Sequence, residues 1–176
     1  MQVWGAEAHR DPRLIAGLAY ELTYGAADPC QALLSDPRLT NMRLEAEKEV
    51  EEAVEGAEVL SEGPVKVVRV RTRLRVGGMV ARRLSRLARG ILVAIVEEEG
   101  SERARIYVRG SEGFDPLAVY RALSPAVHVG AKNQRGNKVV SLEVSRESVS
   151  EIVEAIRSSL EAHGAAQGGG QQQGGA

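Results

Sequence analysis

The chain has 176 residues, 43% of them hydrophobic and 27% charged, with a formal net charge of -1. That is enough apolar material for one domain with a real core, yet no stretch approaches the ~18 consecutive apolar residues of a membrane span. A lone Cys30 excludes an internal disulfide and a thiolate zinc cluster, and the first residues lack the basic and apolar regions of a signal peptide, so a cytoplasmic protein without a membrane segment is expected.

All four aspartates precede proline, at Asp11, Asp28, Asp36 and Asp115. Asp as N-cap accepts hydrogen bonds from the orphan amides of a helix start, and Pro at the next position lacks one of those donors, so each pair predicts a helix start. The first helix runs to about Tyr24 with Leu14, Ile15, Leu18 and Leu22 on one face, and a short one follows over 31–34. The third is long, because Leu39, Met42, Ala46, Val50, Ala53 and Ala57 recur at helical spacing. Its other face is acidic: between Glu45 and Glu62 stand eight glutamates against Lys48 alone. A solvated helix face and an electrostatic partner for a basic surface are both open readings of that run.

From Pro64 the pattern becomes β. A strand is expected over 65–76, a helix over 78–88, a buried strand over 90–97 and a half-exposed strand over 102–109. Residues 115–123 read as helix and 137–144 as strand; Ser145 is expected to cap a final helix carrying Val149, Ile152, Val153, Ile156 and Leu160, which stops near Gly164. The Gly- and Gln-rich end is too polar to bury a core and is expected to be disordered. The fold class is therefore α+β: a helical N-terminal segment (1–62), a β-α-β-β-α-β-α domain with a mixed sheet (63–163), and a disordered tail (164–176).

One stretch stands apart in charge. Between Gly63 and Val96 there are eight arginines and one lysine, and no acidic residue. On a strand, Arg69, Arg71, Arg73 and Arg75 share one face. On the following helix, Arg82, Arg86 and Arg89 share another, and Gly77 and Gly78 sit where backbone could approach a phosphate at that helix's N-terminus. These residues fit a groove for single-stranded nucleic acid. Aromatic residues make up only 3% of the chain, so affinity would rest on backbone charge without stacking. Pairing with the 45–62 glutamates, or with an acidic partner, is the competing reading. The excess of arginine over lysine and of glutamate over aspartate fits a thermophile's ion-paired surface, and GC-rich codon usage would have the same effect.

Catalytic chemistry has no visible seat. His9, His128 and His163 are widely separated, every aspartate is expected at a helix cap, and there is no Walker A, GxGxxG or HEXXH arrangement. No metal site and no cofactor are expected, and the chain reads as a non-enzyme.

Several local sequences, in order, resemble the C-terminal domain of the RecJ family of DHH phosphoesterases. The segment Val76-Gly77-Gly78-Met79-Val80-Ala81-Arg82-Arg83-Leu84 is similar to that family's glycine-then-helix segment. Arg109, four residues before Gly113-Phe114-Asp115, resembles its arginine-bearing strand end, and the Glu-rich stretch after Asn41 and Arg43 resembles its linker helix. Where the family has a GGH phosphate-binding loop, this chain offers Gly130-Ala131-Lys132 followed by Asn133, Gln134 and Arg135. The catalytic DHH domain has no counterpart. The resemblance implies a stand-alone archaeal DNA-binding module that accompanies the GINS complex and the MCM helicase in DNA replication, with single-stranded DNA as a further ligand. From the arginine block and the resemblance together, the candidate nucleic-acid-binding residues are Arg69, Arg71, Arg73, Arg75, Gly78, Arg82, Arg83, Arg86, Arg109, Lys132 and Arg135. A free-standing single-strand-binding module, and a non-catalytic subunit of a DHH-type nuclease, are the alternatives.

Overall fold

The computed structural model describes residues 37–88, 90–110, 119–120, 123, 129–135 and 139–168. The two helices expected before residue 37, most of the helical segment expected near 115, Arg89 and residues 169–176 lie outside them. The described residues form α1 (Pro37–Glu55), β1 (Glu58–Ser61), β2 (Val65–Thr72), α2 (Gly77–Leu87), β3 (Ile91–Glu98), β4 (Arg103–Arg109), β5 (Val129–Arg135), β6 (Val139–Ser145) and α3 (Val149–Gly168). The α+β class and the mixed sheet are as expected.

The strands make one six-stranded sheet in the order β1-β2-β3-β4-β6-β5. Only β2 and β3 are parallel, with Val65 opposite Ile91 and Thr72 opposite Glu98. A parallel pair needs a crossover, and α2 supplies it. The other neighbours are antiparallel, including β4 with β6 and β5 with β6.

Helices cover both faces. On one, α3 buries Val149, Ile152, Ile156 and Leu160 against Val65, Val67, Val93, Ile95, Ile106, Val108 and Leu142. On the other, α1 and α2 bury Ala46, Val50, Ala53, Val80, Ala81 and Leu84 against Val68, Val70, Leu92, Ala94 and Val96. Strand β3 supplies both cores, which explains its unbroken apolar run. Small residues on α1 at i, i+4 and i+7 let that helix lie close to the sheet.

Five local expectations are corrected. The first β-strand of the arginine block ends at Thr72, not Val76: residues 73–75 bend, and the Val76 amide closes a tight turn onto the Leu74 carbonyl at 2.8 Å. Arg73 and Arg75 are therefore off the strand and do not continue the face of Arg69 and Arg71. Strand β1 lies where the acidic helix was expected to continue; Gly56 ends that helix, and pairing with β2 makes residues 58–61 a strand. Residues 129–135, read as a loop, form β5 along β6. The final helix starts at Val149 after a turn over 146–148, so Ser145 is not its cap; the Ile152 amide bonds the Ser148 carbonyl at 3.1 Å. That helix continues through Gly164 to Gly168, because one glycine followed by Ala165, Ala166 and Gln167 costs only about 1 kcal/mol of helix propensity.

Two glycines are dictated by space. A Cβ on Gly77 would lie 2.9 Å from Val96 Cγ1 and 3.2 Å from the Tyr107 ring, so α2 reaches the sheet only because this position is bare. Gly90 has φ +96, and a Cβ there would meet the Pro64 carbonyl oxygen at 2.7 Å.

Candidate functional site

The arginine block divides into two populations. The first is bound to the protein's own carboxylates. In β2, Arg69 lies opposite Glu58 of β1, and Arg71 lies opposite Glu97 of β3. Arg69 sits 3.8 Å from Glu58 and 3.7 Å from Glu97, and Arg71 sits 3.7 Å from Glu97. Arg75 sits 3.8 Å from Glu98, and Arg83 of α2 sits 3.6 Å from Glu51 of α1.

Arg73 is held most firmly. Its backbone amide and its Nε both donate to Glu49, whose side chain is only 6% exposed, and its Nη2 lies 2.6 Å from Glu49 and 3.0 Å from Glu52. The bonds to Glu49, then the charges of Glu49 and Glu52, raise its pKa above the ordinary arginine value. Glu49 thereby anchors α1 to the bend after β2. Together these side chains line an open cleft of about 770 Å³ at the end of the sheet, with Glu49, Glu52, Arg69, Arg71, Arg73 and Glu97 in its walls. Positive and negative charge alternate there, so the cleft offers an anion little net attraction.

The second population has no acidic partner among the described residues. Arg82 and Arg86 are exposed on α2 and make no ion pair among the described residues. Beside them, at the end of β4, the Nε of Arg109 donates to the hydroxyl of Ser85 at 3.2 Å, and that hydroxyl donates to the Arg82 carbonyl at 2.9 Å. Burial, then the charges of Arg82 and Arg86, push the Arg109 pKa below its ordinary value. Arg109 thus meets the Ser85 hydroxyl within the repulsive field of the Arg82 and Arg86 charges, and an oxyanion placed beside it would relieve that repulsion. Helical periodicity puts Arg82, Ser85 and Arg86 together on α2, with Arg83 bordering Arg86 on the side that meets Glu51 of α1.

Most residues predicted for the site sort accordingly. Arg82, Arg86 and Arg109 come together; Arg69, Arg71, Arg73, Arg75 and Arg83 are engaged in ion pairs. Gly78 has open space around it: a Cβ there would come no closer than 3.8 Å to the Tyr107 side chain. Through the sheet register, Arg135 occupies the cross-strand row of Val139 and Arg109, whereas Lys132 occupies the row of Leu142 and Ile106. The register thus puts Arg135, two strands away, in the same cross-strand row as Arg109.

Ser85 was missed from the sequence, although its place three residues after Arg82 marks the same helix flank. Glu97 and Glu98 were also missed as arginine partners, because the β2–β3 register that aligns them is visible only in the fold. Among the described residues no group of His, Cys, Asp or Glu is arranged to hold a metal ion, and no helix is long and apolar enough to cross a membrane.

No family model and no curated protein matches the chain. Among solved structures, it is similar to a DHH-domain member of a family of ribosomal proteins at 11% identity and a TM-score of 0.51, over 73% of this chain and 33% of that one. CDC45 from Entamoeba histolytica aligns at 11% identity with a TM-score of 0.47, over 69% of this chain and 28% of that one. The chain thus has the fold of part of a DHH-domain protein and spans about a third of the length of that neighbour.

Proposed function

We propose that the chain is a non-catalytic binding module of DNA replication that holds the phosphates of single-stranded DNA on Arg82, Arg86 and Arg109 and associates with the GINS complex and the MCM helicase. One observation carries the nucleic-acid part of this reading. The strand arginines are matched by carboxylates, whereas these three lie together with none among the described residues. A surface with no stacking platform would bind by backbone charge and counterion release, so its affinity would fall steeply with salt. The association with GINS and MCM is supported by the RecJ-like order of motifs read from the sequence, and the non-enzyme reading by the lack, among the described residues, of any His, Cys, Asp or Glu group arranged to hold a metal ion.

The test is the triple variant Arg82→Gln, Arg86→Gln, Arg109→Gln, titrated with a single-stranded oligonucleotide at several salt concentrations. Three lost phosphate contacts should flatten the slope of log affinity against log salt by about 2 units. The variant Arg69→Gln, Arg71→Gln should leave that slope nearly unchanged. An unchanged slope in the triple variant sinks the assignment of the surface. Failure of the purified chain to retain GINS at modest salt sinks the adaptor role, and manganese-dependent cleavage by the chain sinks the non-enzyme reading.

A further inference from the structure

Arg83 borders the unpaired surface, three residues before Arg86 on α2, but faces Glu51 of α1 at 3.6 Å. Both side chains are more than half exposed, at 56% and 59%. An exposed pair of this kind contributes little, because water screens it and two long side chains lose freedom in making it. Arg73, by contrast, is tied to a buried carboxylate by several hydrogen bonds and cannot be released without detaching α1. Arg83 is therefore the paired arginine that shares α2 with the unpaired surface and can join it at small cost.

We infer that Glu51 is the specificity-determining residue of the α2 surface: it occupies Arg83 in the free protein and yields it only to a chain of phosphates that already engages Arg82, Arg86 and Arg109. This rests on the reading that the α2 surface takes phosphates. A single phosphate held by Arg82, Arg86 and Arg109 has no second charge with which to displace Glu51. A polynucleotide crossing α2 brings a further phosphate to the side of Arg86 that borders α1, where it replaces the carboxylate as the partner of Arg83. Glu51 thus handicaps every ligand that must reach Arg83 and leaves the affinity for isolated anions unchanged.

The test uses the full chain with Glu51→Gln, and with Glu55→Gln as a control of equal charge change, since Glu55 is exposed one turn along α1 and makes no ion pair among the described residues. The probes are a fluorescent oligodeoxythymidylate and inorganic phosphate. Glu51→Gln should tighten oligonucleotide binding by about two- to fivefold at low salt, the range set by an exposed ion pair. Glu55→Gln should tighten it less, inorganic phosphate binding should not change, and adding Arg83→Gln to Glu51→Gln should abolish the gain. Equal gains from both glutamine variants would show a general charge effect and overturn the inference. So would an unchanged affinity in Glu51→Gln while the wild-type chain binds through Arg82, Arg86 and Arg109. If the wild-type chain binds no oligonucleotide, the proposed function itself fails.

Discussion

Gly77 and Gly78 are adjacent, belong to the same helix and look equivalent in sequence, but their surroundings separate them. A methyl group on Gly77 runs into Val96 at 2.9 Å, and β3 behind Val96 is packed on both faces and cannot retreat. Gly77→Ala should therefore destabilise the protein by about 1–3 kcal/mol, the usual cost of overpacking. Gly78→Ala meets nothing closer than 3.8 Å and should be neutral or stabilising by up to about 1 kcal/mol. Chemical denaturation of the two variants checks the contrast, and equal effects would refute the packing role of Gly77. Proximity to phosphate, the sequence-based reading of both glycines, gives no reason for such a difference.

At the level of elements, α1 is fastened by one buried carboxylate. Glu49→Ala strips the Arg73 amide and guanidinium of their main acceptor and should cost about 2–4 kcal/mol. Glu52→Ala, half exposed on the same helix, should cost at most about 1 kcal/mol. Thermal or denaturant unfolding distinguishes them, and a near-zero effect of Glu49→Ala would remove the anchor. The sequence made α1, α2, β3, β4, β6 and α3 legible because each carries a clear helical or strand periodicity on its buried face. Strand β1 was hidden by its glutamate, which continued the acidic helical pattern. Strand β5 was hidden because Gly130, Lys132, Asn133 and Gln134 are weak strand formers whose conformation follows from their partner strand. The site was half legible in the same sense. Arg82, Arg86 and Arg109 could be named from local sequence, but which arginines were already neutralised depended on register and on the approach of α1.

Across the whole molecule, a net charge of -1 conceals an uneven surface. The cleft end interleaves arginine with glutamate, and the Ser85 flank of α2 carries arginine alone, so attraction for a polyanion is local. The sheet order is equally uneven in what it asks of the chain. Among the described residues, the α1/α2 core buries only residues from the 46–96 stretch, with Tyr107 packed at its margin. The α3 core draws on both sides of residue 110, and β4 with β6 is the strand pair that joins them. A chain divided after Gly110 would leave a first fragment with one finished core and one bare apolar sheet face, and a second fragment carrying the helix and strands that cover it. The two pieces should therefore recognise each other and reassemble when mixed, which native mass spectrometry or calorimetry would detect. A first fragment that stays monomeric and ignores the second would show that its open face is not competent to template the rest. If they do reassemble, the protein can be made as two complementing halves whose union reports on proximity, with the Arg82, Arg86 and Arg109 surface carried whole on the first.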